Sequence, residues 1–145
     1  MPDDTCLFCR IVSGELPALI VYEDEVSVGF LDHRPVFHGH TLLVPREHVE
    51  TLGELPAKLV EPYFKAAQLL ARAVESGLDA DGTFVAMNNR VSQSVPHLHV
   101  HIVPRRRKDG LKGFFWPRTK YKDGEEMEEV KKKIATTLRK TTQQK

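Results

Sequence analysis

Pro96-His97-Leu98-His99-Val100-His101-Ile102-Val103-Pro104 is the stretch from which the fold can be read outward. Histidines and aliphatic residues alternate along it without a break, the pattern of a β-strand with one face in a core. Successive side chains of a strand point to opposite faces. Leu98, Val100 and Ile102 therefore face inward, and His97, His99 and His101 share the other face, about 6.6 Å apart at twice the strand rise. Three chemistries fit that face. One phosphate can touch two neighbouring imidazoles, His-x-His can supply two ligands to zinc, or the histidines can sit on the solvated face of an edge strand. The alternation alone does not choose among them.

Upstream, Thr83–Asn88 reads as a strand, and Leu98–Pro104 as the one that carries the histidines. Leu19–Glu23 and Val26–Asp32 read as two strands joined at Glu23-Asp24-Glu25, and Thr41–Pro45 as a third after the Gly39-His40 turn. Between the third and fourth strands, Leu55 to Ser76 is helical, with Leu55, Leu59, Phe64, Ala67, Leu70 and Val74 along one face. Pro62 inside it predicts a kink or break just before that residue, and Gly77 a C-terminal cap. Downstream, Asp123–Lys140 reads as an amphipathic helix: Asp123 and Glu126 form a capping box, and Met127, Val130, Ile134 and Leu138 the apolar stripe. Glu128–Lys132 and Glu129–Lys133 are expected ion pairs at i,i+4 spacing. These elements predict an α+β fold in a single domain over 1–145. It has a five-stranded antiparallel sheet, one main helix after the third strand and a C-terminal amphipathic helix, because most connections are too short for crossovers.

Composition narrows the function classes. The chain has 145 residues and no apolar run long enough to span a membrane. Met1-Pro2-Asp3-Asp4 carries neither a basic leader nor an apolar segment, so a signal peptide is not expected and a cytoplasmic location is. The net charge of +1 is unevenly spread: residues 1–104 hold 7 Lys/Arg against 14 Asp/Glu, and residues 105–145 hold 14 against 6. That basic end either attracts phosphates or is a solvated helical surface. Two cysteines, Cys6 and Cys9, cannot make a disulfide scaffold. As Cys-x-x-Cys they are half of a zinc site, a redox pair or two free thiols.

His-x-His-x-His with apolar intervening residues, running on into Ile102-Val103-Pro104-Arg105, resembles the histidine-triad (HIT) family of nucleotide hydrolases and transferases. The resemblance covers about 100 residues, from Cys6 to Arg105. Cys6-Leu7-Phe8-Cys9-Arg10-Ile11 with Gly14-Glu15-Leu16-Pro17 is similar to the family's N-terminal segment. Val21-Tyr22-Glu23-Asp24 and Phe30-Leu31-Asp32 are similar to its first strands. Gly39-His40-Thr41-Leu42-Leu43-Val44-Pro45, with His48 following, matches its G-H-x-L-x-x-P segment, and Asn88-Asn89 and Gln93-Ser94-Val95 its approach to the triad. Two departures stand out. Arg90-Val91-Ser92 occupies a loop that is glycine-rich in many relatives, and His38 stands where proline is common.

The resemblance implies that His99 attacks the α-phosphorus to give a nucleotidyl-histidine that water then cleaves. His101 would contact the phosphate and pass a proton to the leaving group, and His40 would fix the tautomer of the nucleophile. Leu7, Phe8, Ile11, Phe30, Leu31 and Leu42 would wall the base and Asp32 would bind the ribose. Gln93, Ser94 and Asn88 or Asn89 would meet the phosphate. Cys6, Cys9, His48 and His97 would bind a structural zinc. The expected substrates are purine nucleoside phosphoramidates or dinucleoside polyphosphates, acted on by a homodimer. Neither a membrane nor a nucleic acid is an expected partner. Trp116, in Gly113-Phe114-Phe115-Trp116-Pro117-Arg118, would approach the site of a partner subunit or cap its own core. A nucleotide-binding regulatory protein with incidental turnover, or a zinc-stabilised interaction module, are the competing function classes.

Overall fold

Alternation of the kind seen around the histidines stacks the sheet between two apolar clusters. The computed structural model describes residues 3–111 and 118–143, and the chain divides into two compact units, Met1–Asp109 and Gly110–Lys145. In the first unit α1 (Leu7–Val12) precedes β1 (Ile20–Glu23), β2 (Ser27–Leu31) and β3 (Thr41–Pro45). A 3₁₀ turn (Leu52–Glu54), α2 (Ala57–Gly77), β4 (Gly82–Ala86) and β5 (Val100–Arg105) follow. The sheet order is β1-β2-β3-β5-β4, with every neighbouring pair antiparallel. This is the α+β architecture expected from the sequence.

One face of the sheet packs Leu43, Leu98, Val100 and Ile102 against Tyr63, Ala66, Ala67, Leu70 and Val74 of α2. The other packs Val28, Phe30, Leu42 and Val44 against Cys6, Phe8 and Cys9 of the α1 segment. The period of two thus sends alternate residues of β3 to opposite cores, while β5 gives Val100 and Ile102 to the first and turns His101 to the other face. Gly29 lets α2 approach β2, since a Cβ there would lie 3.0 Å from Leu70 Cδ1.

Several details differ from the expectations. β5 begins at Val100 rather than Leu98, because β3 ends at Pro45 and the Leu98 N–H turns to the Val49 carbonyl at 2.7 Å. The inward and outward alternation nevertheless continues back to His97. Pro62 does not break α2, which is one helix from Ala57 to Gly77. The proline removes a single bond to the carbonyl of Lys58, an exposed residue whose carbonyl water can serve. The break falls earlier instead, at Leu55-Pro56, between the 3₁₀ turn and α2. The core residue of that helix turn is Tyr63, fully buried, and not Phe64, which is 39% exposed; the Tyr63 hydroxyl donates to the Leu43 carbonyl at 2.6 Å. Gly77 remains helical. The left-handed residue that ends α2 is Asp79 (φ 52), and the Ala80 N–H reaches the Glu75 carbonyl at 2.9 Å in a Schellman closure.

In the second unit α3 (Gly124–Gln143) is capped as expected: the Glu126 N–H donates to Asp123 Oδ1 at 2.9 Å. The ion pair on its first turns is Glu128–Lys131 at 3.4 Å, three residues apart and not four. Among the described residues no helix is long and apolar enough to cross a membrane. Trp116 lies outside the described residues.

Candidate active site

Backbone groups set the protonation pattern of the histidines. His99 is buried, and its Nδ1–H donates to the His97 carbonyl at 2.7 Å, which leaves the Nε2 lone pair facing away from the main chain. His40 sits at the start of β3 after Gly39, whose φ of +104° suits glycine and whose Cβ would clash with Leu78. The Val36 N–H donates to His40 Nδ1 at 3.1 Å, so His40 carries its proton on Nε2. That Nε2–H donates to His101 Nδ1 at 2.9 Å. His101 must then carry its own proton on Nε2. The result is a complementary pair, His99 with a bare Nε2 and His101 with an Nε2–H, with ring centroids 4.9 Å apart.

Both partners of the relay are held neutral. Burial depresses the His101 pKa to about 4, reinforced by His99 and His40 and opposed by Asp32. Burial also lowers His40, and Asp32, with Oδ2 3.7 Å from His40 Nδ1, pulls the other way. That contact is electrostatic, because the Val36 N–H already occupies Nδ1. The expected contact of His40 with the nucleophile is thus corrected: His40 reaches His101, and the His97 carbonyl orients His99.

His99 and His101 open onto a pocket of about 1060 Å³, ample for a mononucleotide with a leaving group. Its wall includes Leu7, Phe8, Ile11, Phe30, Leu31 and Leu42, together with Asp32 and Ser94. Phe8 stands edge-on to Phe30 at 5.4 Å and to His99 at 5.1 Å. Sequence reasoning missed Leu16, Pro17, Ala18, Leu19, His33, Arg34 and Val95 as lining residues. Adjacency of His33 and Arg34 to Asp32 was the available signal.

The structure does not bring Asn88 and Gln93 to the pocket wall. Gln93 Nε2 donates to the Glu50 carbonyl at 2.6 Å and its Oε1 accepts from the Arg90 N–H at 2.8 Å. Asn88 Nδ2 donates to the Ser92 carbonyl at 3.0 Å, and Asn89 Oδ1 accepts from the Leu52 N–H at 2.7 Å. These amides staple a strained loop. Arg90 (φ 71) and Ser92 (φ 57) adopt left-handed conformations, at a cost of roughly 1 kcal/mol each. A glycine-free segment thereby reaches a shape that glycine would adopt without penalty.

Cys6, Cys9, His48 and His97 converge beside this pocket, with one donor atom of each inside a 4.8 Å span. Cys6 is the N-cap of α1 and Cys9 lies one turn on. The Nδ1 atoms of His48 and His97 are 3.2 Å apart, Cys6 Sγ lies 3.4 Å from His97 Nδ1, and Cys9 Sγ lies 3.2 Å from His48 Nδ1 and 3.5 Å from His97 Nδ1. A tetrahedral ion with bonds of 2.0–2.3 Å has donor–donor edges of about 3.3 to 3.8 Å, and these four separations come within a few tenths of an ångström of them. His97 Nε2–H donates to the Pro45 carbonyl at 2.9 Å, which turns Nδ1 toward the sulfurs. Burial holds His97 neutral, with a pKa of about 4, and raises the Cys6 thiol. Two ring nitrogens and two sulfurs facing one point are a donor set that could hold a metal ion.

An antiparallel five-stranded sheet with three alternating histidines, two of them, His99 and His101, on the wall of a large pocket and the third, His97, in the cluster beside it, is the arrangement of a histidine-triad protein. The family model of the HIT domain matches residues 13–108, and the chain belongs to the HIT family. It is 39% identical over 115 residues to "Protein hit" of Bacillus subtilis, covering 78% of this chain and 79% of that one. It is 33% identical over 110 residues to "Adenosine 5'-monophosphoramidase HNT1" of Saccharomyces cerevisiae, covering 75% and 68%. Among solved structures it resembles a Zn-bound histidine triad family protein from Mycobacterium smegmatis, with a TM-score of 0.70, 43% identity and coverage of 79% and 84%.

Proposed function

We propose that this protein is a nucleotidyl hydrolase or transferase that cleaves purine nucleoside phosphoramidates or dinucleoside polyphosphates at the α-phosphorus. The observation that carries the reading is the complementary tautomer pair: a bare His99 Nε2 beside a His101 Nε2–H on one pocket wall. In the first step the His99 Nε2 lone pair forms a bond to phosphorus, and the bond from phosphorus to the leaving nitrogen or oxygen breaks. The leaving atom takes the His101 Nε2 proton, which solvent replaces, so that His101 stays neutral and no imidazolate is left. In the second step water attacks phosphorus, the Nε2–phosphorus bond breaks, and the water's proton passes to solvent, leaving His101 neutral as it began. Nucleoside monophosphate is released. The phosphoramidase name of the yeast relative supports the hydrolase class.

Leu7, Phe8, Ile11, Phe30, Leu31 and Leu42 wall the base, the Asp32 carboxylate accepts from the ribose hydroxyls, and Ser94 meets the phosphate. Asn88 and Gln93 act indirectly, through the loop they staple. Cys6, Cys9, His48 and His97 hold a zinc ion whose contribution is a crosslink between α1, the segment after β3 and the triad, with no part in the reaction. The protein works in the cytoplasm as a homodimer, a reading supported by the apolar Val60, Phe64 and Leu69 that α2 leaves exposed.

The test is a substrate panel, adenosine and guanosine phosphoramidates and diadenosine polyphosphates, with alkaline-quench mass spectrometry for a nucleotidyl adduct on His99, whose phosphorus–nitrogen bond is acid-labile. His99→Ala is expected to abolish turnover and the adduct while nucleoside monophosphate binding persists. Turnover above about a tenth of wild type in that variant would refute the assignment.

A further inference from the structure

The metal cluster and the pocket share structural parts. α1 has only six residues, too few to hold a helix unaided. Two of the segment's side chains, Cys6 and Cys9, face the cluster, and three others, Leu7, Phe8 and Ile11, face the pocket. Cys6 Sγ also accepts the Cys9 N–H at 3.4 Å, so the sulfur that faces the cluster caps the helix as well. Phe8 lies between the two cysteines, buried, with its ring edge-on to His97 at 6.0 Å on the cluster side and to His99 at 5.1 Å on the pocket side. His97 itself belongs to both sites: its Nδ1 faces the sulfurs and its carbonyl orients His99.

An ion in the cluster would hold Cys6, Cys9 and His97 at their observed separations. Without one, only hydrogen bonds join these groups, His48 to His97 at 3.2 Å and the thiols to the ring nitrogens at 3.2 to 3.5 Å, and they hold the cysteines far more loosely than metal–ligand bonds would. The six-residue helix, and with it the Phe8 ring, would then relax. We propose that metal occupancy of the cluster and nucleotide occupancy of the pocket are energetically coupled, with Phe8 as the positioning residue that carries the coupling. The inference rests on the zinc and nucleotide readings above. Coupling between two binding equilibria is reciprocal, so each ligand strengthens the other by one factor, about fivefold or more for an effect of ordinary size.

The experiment measures AMP dissociation constants by calorimetry on zinc-loaded and chelator-treated protein. It also measures zinc retention against a chromophoric chelator with and without saturating AMP. AMP is expected to bind about fivefold or more tightly to the loaded protein, and zinc to be retained more tightly by the same factor when AMP is present. Phe8→Leu is expected to bring both factors to within about twofold of unity while about one zinc per chain remains bound. A cobalt-substituted sample, which needs no metal-free state, supplies a second readout. Its visible absorption is expected to shift on addition of AMP in the wild type and not in Phe8→Leu. Wild-type factors near unity with both ligands bound, or a cobalt spectrum indifferent to AMP, would overturn the coupling and leave the zinc and nucleotide readings intact. Undiminished factors in Phe8→Leu would overturn the role of that ring. Failure to bind zinc, or failure to bind AMP, would remove the underlying reading and the coupling with it.

Discussion

His40→Ala isolates the relay that sets the proton on His101. The substitution deletes the Nε2–H that donates to His101 Nδ1 at 2.9 Å. The two neutral tautomers of imidazole lie close in energy, so a hydrogen bond of about 1–2 kcal/mol biases their ratio roughly 5- to 30-fold. Without it, His101 spends much of its time protonated on Nδ1, with no proton on Nε2 to give. The expected loss in kcat is about 10-fold, and the ceiling is the loss from removing His101 altogether, about 10²- to 10⁴-fold. The loss must depend on the leaving group. An alkylamine cannot depart from phosphorus without a proton, whereas a nitrophenolate can. The assay therefore compares an alkyl phosphoramidate of AMP with its nitrophenyl ester, in wild type, His40→Ala, His101→Ala and His99→Ala. His40→Ala and His101→Ala should lose activity on the amine and nearly none on the ester; His99→Ala should lose both. His40 is only 4% exposed, so rates are normalised to the folded fraction from circular dichroism. Equal losses on the two substrates in His40→Ala would refute the relay.

Other outcomes follow from the same geometry. Cys9→Ser should lower the zinc content below the roughly one ion per chain expected of a four-ligand site and lower Tm, read by metal analysis and thermal melts. Tyr63→Phe should cost about 1–2 kcal/mol in urea unfolding at unchanged m, because it strips a fully buried hydroxyl from the Leu43 carbonyl. The depressed His101 and His40 make stability pH-dependent. Their unfolded forms bind protons below about pH 6.5 while folded His101 does not until about pH 4, so stability should fall as pH drops through that window. For half-buried His101 the effect is on the order of 2 kcal/mol, and His101→Asn should flatten the Tm-against-pH slope there.

The strand of histidines, its two faces, and the identity of the residues around it were legible in the sequence, because alternation and turn chemistry are local properties of a chain. β3 has the limits that Thr41-Leu42-Leu43-Val44-Pro45 suggested, and the order of elements yields the antiparallel sheet. The helix was legible as a helix, but its inward face was misjudged at Tyr63 and Phe64. An aromatic pair at adjacent positions satisfies the helical period either way, and only the space beneath the sheet selects the tyrosine. Pro62 misled for a related reason: the loss of one hydrogen bond is decisive only where the abandoned carbonyl is buried, and Lys58 is exposed.

What tertiary structure alone decided is the protonation state of the site. The residues that point each imidazole are backbone groups that no side-chain pattern encodes: the Val36 N–H for His40, the His97 carbonyl for His99 and the Pro45 carbonyl for His97. All four metal-cluster donors are recognisable by type in the sequence, but their convergence depends on α1, the turn after β3 and the approach to β5 meeting across separations of 39 to 91 residues. Likewise, Asn88 and Gln93 carry the right groups for a phosphate, yet a glycine-free loop with two left-handed residues draws both amides to its own backbone. Residue types set which chemistries are possible here, and hydrogen-bond competition in the folded chain assigns each group to one of them.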